Sequence, residues 1–238
     1  MEMLNALDLE NTAEADRDSP EKTASTAVAG KVAAELRRQL TAGQLKPGER
    51  LSEPGLTKSL GVSRNTLREA FAELSAERLV VRLPSRGVFV ASPGPADVRD
   101  FYVVRRTVEV SAARNGGSAE RIAAVREAVL NGKRAAATGD LNALTSANQR
   151  FHGAIVELAE SDRLNSLMQQ VLAEMRLFFH KESVDVAYYT RFLQENELIA
   201  DALSAGDFRG AGDMLMEYLR RSEDHLMSIY LYGGRRRG

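Results

Sequence analysis

Hydrophobic and polar positions along this chain fall mostly into the three-and-four spacing of amphipathic helices, and one short region breaks into an extended pattern. A first helix is predicted over residues 25–42, with Val28, Val32, Leu36 and Leu40 on its buried stripe and Gly43 ending it. Lys46-Pro47-Gly48 reads as a turn, Arg50-Leu51 as a short extended segment, and Ser52 as the cap of a second helix over 53–60. A third helix is predicted over 64–78, with Leu67, Phe71 and Leu74 as its buried face. Runs 79–82 and 88–91 are β-like and enclose Pro84-Ser85-Arg86-Gly87, the pattern of a hairpin. Ser92-Pro93-Gly94-Pro95 then blocks helix and strand alike. Six further helices are predicted at 96–114, 118–138, 141–160, 162–183, 187–205 and 207–231. They are broken by Gly116-Gly117, Gly139-Asp140, Ser161-Asp162, residues 183–185 and Gly206-Asp207. The expected fold is mainly α: an N-terminal winged helix-turn-helix followed by an all-α helical bundle of about six helices.

The stretch Leu60 to Ala70 carries the clearest chemistry. Gly61 suits the positive φ that ends one helix and turns sharply into the next, and Ser63 can cap the helix that follows. Its amide-rich first turn is a natural seat for a phosphate. Arg64, Asn65, Thr66 and Arg68 follow on the first two turns, the part of a recognition helix that enters a major groove. Asn65 can pair bidentately with adenine. In the hairpin, Arg86 is placed to reach the sugar-phosphate rail or the minor groove, with Gly87 permitting close backbone approach.

Charge sharpens this division. Over all 238 residues the net charge is −1, yet residues 1–26 carry −5, residues 27–92 carry +5 and the remainder −1. The basic charge sits with the helix-turn-helix, where phosphate neutralisation needs it. The expected organisation is a disordered acidic arm over 1–25, a DNA-binding domain over 26–92 and an all-helical bundle over 93–238 of the kind that holds ligands between facing helices. The tail Gly233 to Gly238 is expected to fray. The absence of cysteine excludes disulfides and thiolate metal sites. No apolar run approaches the roughly 20 residues of a membrane span, and the N-terminus lacks the order of a signal peptide, so a cytoplasmic protein with no membrane partner is expected.

Taken together, residues 32–53 (VAAELRRQLTAGQLKPGERLSE), 60–74 and Ser85-Arg86-Gly87-Val88-Phe89-Val90 resemble the GntR-type bacterial transcription regulators, in the FadR-like branch with an FCD-type effector domain. The resemblance implies that Arg50 contacts phosphate, that Arg64 and Arg68 contact base edges or phosphate, and that Asn65 and Thr66 set sequence preference. Many relatives carry Thr-Pro where this chain has Asn65-Thr66, which leaves the operator sequence open. It further implies an effector site at Asn148, His152, Asn196 and Tyr218, where relatives hold a divalent metal with one Asp and three His. Only His152 survives of that set, so no metal or other cofactor is expected, and the four side chains read as a neutral polar cluster for a small organic effector. Arg105 matches an arginine common in the family. It either meets a ligand carboxylate or pairs with Glu109 four residues on. Phe101, Phe151, Met175, Phe178, Phe179, Tyr188 and Tyr189 line an apolar pocket or fill the core.

The function the resemblance implies is a ligand-responsive repressor that binds a palindromic, double-stranded operator as a homodimer and senses a small metabolite in the helical domain (effector-binding and dimerisation, residues 93–238), expected to be a carboxylate. Two alternatives stand beside it: a constitutive DNA-binding regulator whose effector domain only dimerises, and an enzyme using His152 as a general base. The enzyme lacks a nucleophile–base pair, paired carboxylates or a phosphate loop.

Overall fold

The computed structural model describes residues 20–41, 44–178 and 186–232. The chain begins with α1 (Pro20–Thr41), β1 (Arg50–Leu51), α2 (Glu53–Leu60), α3 (Arg64–Ala76), β2 (Val80–Leu83) and β3 (Gly87–Val90). The six helices that follow are α4 (Pro95–Asn115), α5 (Ala119–Thr138), α6 (Leu141–Glu157), α7 (Asp162–Phe178), α8 (Val186–Ser204) and α9 (Phe208–Tyr232). The architecture is therefore a winged helix-turn-helix followed by a helical bundle, as the periodicity predicts. Among the described residues no helix is long and apolar enough to cross a membrane.

In the head, α1 packs along α3 over a core of Val32, Ala33, Leu36, Leu40, Leu67, Ala70, Phe71 and Leu74. Val28, expected in that core, is 41% exposed and Ala29 takes its place at 4%. The reason is helical drift. A spacing of four advances 400° per step, so Val28 lies about 120° around the helix from Leu40, whereas Ala29, Ala33, Leu36 and Leu40 stay on one face. The helix also starts earlier than expected, at Pro20, so residues 20–25 of the expected arm are helical. Residues 1–19, Gly43, the break at 183–185 and the tail 233–238 lie outside the described residues.

The recognition-type helix α3 ends at Ala76 rather than Arg78. Arg78 adopts φ 55°, its N–H bonds to the Ser75 carbonyl and the Leu79 N–H to the Leu74 carbonyl, which together close the helix and turn the chain into β2. The sheet is antiparallel in the order β1-β3-β2. Leu51, Val80, Val88 and Val90 face the core, and Arg50, Phe89 and Val81 share the outer face in register.

In the bundle, Pro95 opens α4 at a position where its missing N–H costs nothing, and Asp97 Oδ2 accepts from the Gly94 N–H at 2.7 Å. The buried stripe of α4 runs through Val98, Phe101, Tyr102, Arg105, Glu109, Ala112 and Ala113, so an arginine and a glutamate stand in core positions. α9 lies along α4, α6 along α5, and α8 packs on both α5 and α9. Phe101, Phe151, Met175, Phe178 and Tyr189 belong to this core, while Phe179 and the Tyr188 side chain lie outside what is described.

Head and bundle meet on α7, whose consecutive residues serve different cores. Leu177 is buried in the head core, whereas Phe178 packs on Phe101 in the bundle, ring centroids 4.7 Å apart. Arg78 lies 3.8 Å from Asp100 on α4 and 3.7 Å from Glu174 on α7. Leu177→Ala should lower the unfolding free energy measured by urea denaturation by about 2–5 kcal/mol, as for other buried leucines. Val28→Ala should change it by less than about 0.5 kcal/mol, the reverse of what a stripe through Val28 requires.

Candidate nucleic-acid interface and buried polar cluster

The turn between α2 and α3 is built as its residues predict. Gly61 takes φ 65°, and Ser63 Oγ accepts from the Thr66 N–H at 3.1 Å while lying 2.8 Å from Thr66 Oγ1. Capping leaves Arg64, Asn65 and Arg68 exposed on the first two turns of α3, opposite the buried Leu67, Ala70 and Phe71. Thr66 is half-buried and its hydroxyl is engaged with Ser63.

Arg50 reaches the same place from β1. Arg50, Arg64 and Arg68 line one cleft of about 500 Å3 together with Ser52, Glu53, Pro54, Gly87 and Val88. Gly87 is needed there for its backbone, since its φ of +105° is one that L side chains rarely adopt, and the Arg50 guanidinium lies against it. Arg86 is outside this cleft, held over the Phe89 ring at 5.9 Å on the outer face of the sheet that also carries Arg50.

Two carboxylates that the sequence did not single out position these side chains. Glu53 Oε2 lies 3.7 Å from Arg68 Nε. Glu69 Oε1 accepts from Asn65 Nδ2 at 2.9 Å, one helical turn away, which leaves Asn65 one N–H and its oxygen, the pair that adenine requires. Glutamate four residues after asparagine on a helix is the signal that was available.

In the bundle, the four positions placed by family resemblance converge. Asn148 and His152 project from α6, Asn196 from α8 and Tyr218 from α9, and all are buried. Asn196 Nδ2 donates to Asn148 Oδ1 at 3.1 Å, Tyr218 OH lies 3.4 Å from the same oxygen, and His152 Nε2 lies 3.2 Å from Tyr218 OH. The other imidazole nitrogen, Nδ1, meets Glu109 Oε2 at 2.7 Å, and Glu109 Oε1 accepts from Arg105 Nε at 2.7 Å. Arg105 therefore pairs with Glu109 and is not a free cation awaiting an acid. Its guanidinium lies 5.4 Å and 5.3 Å from the Phe101 and Tyr102 ring centroids.

Burial pushes Glu109 toward the neutral form, but the Arg105 and His152 partners outweigh it and hold the carboxyl below the usual range. Burial, helped by the Arg105 charge and opposed by Glu109, holds His152 below its ordinary value. The imidazole is then neutral, with its proton on Nδ1 directed at the Glu109 carboxylate and Nε2 facing Tyr218 as an acceptor. Tyr102, closed off by burial and bonded to Ser222 Oγ at 2.7 Å, is pushed up to about 12.

A divalent metal does not fit these donors. The converging set is one imidazole, two amides bonded to each other and a phenol, and the adjoining carboxylate is spent on Arg105 and His152. Among the described residues no group of three or more His, Cys, Asp or Glu is placed to hold a metal ion.

Comparison with known proteins covers both halves of the chain. Residues 28–90 match the family described as bacterial regulatory proteins, gntR family, and residues 100–221 match the FCD domain. The crystal structure of a GntR transcriptional regulator from Rhodococcus sp. RHA1 superposes with a TM-score of 0.79 at 36% identity, over 86% of this chain and 99% of that one. The HTH-type transcriptional regulator McbR of Escherichia coli is 25% identical over 79% of this chain and 87% of its own. The galactonate operon transcriptional repressor of the same organism is 28% identical over 82% and 94%.

The His152 shift gives a signed expectation for stability. Its folded value lies below the unfolded 6.5, so above 6.5 the group takes nothing from stability. As pH falls below 6.5, the unfolded chain binds a proton that the folded chain refuses, and stability drops. Thermal melts from pH 7.5 to 5.5 should show this fall in the wild type and a shallower one in His152→Gln; equal slopes would refute a buried neutral imidazole.

Proposed function

The chain belongs to the GntR family of bacterial regulatory proteins, with an FCD domain after its DNA-binding head, and from that premise we propose that it is a dimeric repressor whose operator affinity is set by a small polar metabolite bound at the buried cluster of the bundle. It is thus a DNA-binding transcription regulator, and its relatives are regulators rather than enzymes. The observation that carries the DNA reading is the meeting of Arg50, Arg64 and Arg68 in one cleft beside the capped start of α3. Three guanidinium groups there supply phosphate neutralisation and base contacts, with Ser63, Asn65 and Thr66 at the same helix end and Arg86 and Gly87 on the wing. A single head reads few base pairs, so two copies on half-sites of a palindrome provide the affinity. Repression follows the galactonate operon relative, which its name describes as a repressor.

A constitutive regulator whose bundle only dimerises is the second reading, and the direct bonding of Asn148, Asn196, Tyr218 and His152 to one another favours it. Unpartnered atoms at the ends of that network favour a ligand instead.

Duplexes selected from a random pool by the wild-type protein give the operator. Arg64→Ala and Arg68→Ala should each weaken its binding by about 1–3 kcal/mol per lost bidentate contact in a gel-shift titration, and relax its sequence preference, while circular dichroism stays unchanged. Near wild-type affinity and preference in both variants would refute the interface.

Purified protein should carry no stoichiometric transition metal by elemental analysis, and chelator should leave both melting and DNA binding unchanged. Because the four positions converge, Asn148→Asp, Asn196→His and Tyr218→His together should create a site that His152 completes. About one metal per chain in the unaltered protein would contradict this.

A further inference from the structure

The polar side chains of the bundle form one continuous chain of contacts, from Arg105 to Glu109, His152, Tyr218, Asn148 and Asn196. Each group inside it has a partner: the single Tyr218 hydrogen goes to His152 Nε2, and the Asn148 oxygen, 3.4 Å from the phenol, takes its hydrogen from Asn196 Nδ2. The two ends are bare: Arg105 Nη2 and Asn196 Oδ1 are buried and have no hydrogen-bond partner. A buried donor or acceptor left bare is expensive, and more so on a charged group, so one end calls for an acceptor and the other for a donor.

Charge then narrows the choice. Arg105 and Glu109, 1% and 0% exposed, contribute one positive and one negative charge, and the imidazole between Glu109 and Tyr218 is neutral, so the cluster is already balanced. A carboxylate would add an unbalanced negative charge where water is excluded. It would also find the Nε–Nη2 edge of the guanidinium half taken, because Nε already donates to Glu109. A neutral molecule with an oxygen acceptor and an O–H or N–H donor satisfies both ends without adding charge.

We propose that the ligand of this cluster is an uncharged hydroxylated small molecule, of the polyol or hydroxy-amide class, whose oxygen accepts from Arg105 and whose hydroxyl or amide hydrogen donates to Asn196. This rests on the cluster being the effector site and replaces the carboxylate that the sequence led us to expect. It also gives the loss of the metal ligands a consequence: a metal offers its charge to acids, and without one the site favours neutral compounds.

The test is a thermal-shift series on the full chain at pH 7.5, using three- to six-carbon alditols and hydroxy-acid amides against the matching hydroxy-acid anions. In the wild type at least one neutral compound should raise Tm by about 2 °C or more when in large excess, and the anions should not. Asn196→Ala should lose the effect. Glu109→Gln, which leaves the Arg105 charge unbalanced, should gain stabilisation by the anions; should that variant fail to fold, Asn196→Ala decides alone. Anions that stabilise the wild type but not Asn196→Ala would leave the site in place and overturn the neutral class. A shift that persists in Asn196→Ala, or no shift from any compound, would overturn site and class together and leave water as the partner of both ends.

Discussion

Two opposite charges buried side by side, Arg105 and Glu109 on one turn of α4, set the terms for the rest of the bundle. Desolvating such a pair costs several kcal/mol per ion, and good geometry with further hydrogen bonds is what offsets it. Glu109 meets that demand by accepting from His152 on α6, whose Nε2 faces the Tyr218 hydroxyl on α9, which lies against the Asn148 oxygen that accepts from Asn196 on α8. Four helices are thereby held in register by one polar chain. A slip in any of them strands a buried polar group, and an apolar contact would tolerate the slip far better.

The same chain lies next to the element that carries the head. On α6, Gln149 follows Asn148 and its Nε2 reaches the Leu172 carbonyl of α7 at 3.4 Å. α7 then places Leu177 in the head core and Phe178 in the bundle core, while Glu174 faces Arg78 at the end of the recognition helix. A ligand that alters the seating of α6 therefore meets α7 first, and α7 is the helix that packs into both head and bundle. Only a ligand with different affinity for two placements of the head can shift operator binding, by an amount that is typically 1–3 kcal/mol.

Local rules made much of this readable in advance. Gly61, Ser63 and Ser52 fixed the helix-turn-helix through backbone and capping chemistry that acts over three or four residues, and the breaks at Gly116-Gly117, Gly139-Asp140, Ser161-Asp162 and Gly206-Asp207 fall within a few residues of the observed helix ends. What escaped was set by distance or by phase. Val28 failed because a spacing of four drifts around a helix over three turns. The Glu109–His152 contact joins residues 43 apart, and no periodicity reports it. Arg105 and Glu109 did leave a trace, since both fall on the buried stripe of α4, where charged residues are stable only when paired. Leu177 and Phe178 look alike in sequence, yet they serve two cores.

Coupling between head and bundle is reciprocal, so it can be read without knowing the ligand. The most direct measurement is hydrogen exchange along the full chain with and without a bound operator duplex. If the bundle cluster governs the head, DNA binding changes protection in α7 and in α6 around Asn148 to His152, as well as in residues 50–90. Changes confined to residues 50–90, with α6 and α7 untouched, would show a head that binds DNA independently of the bundle and would contradict the account.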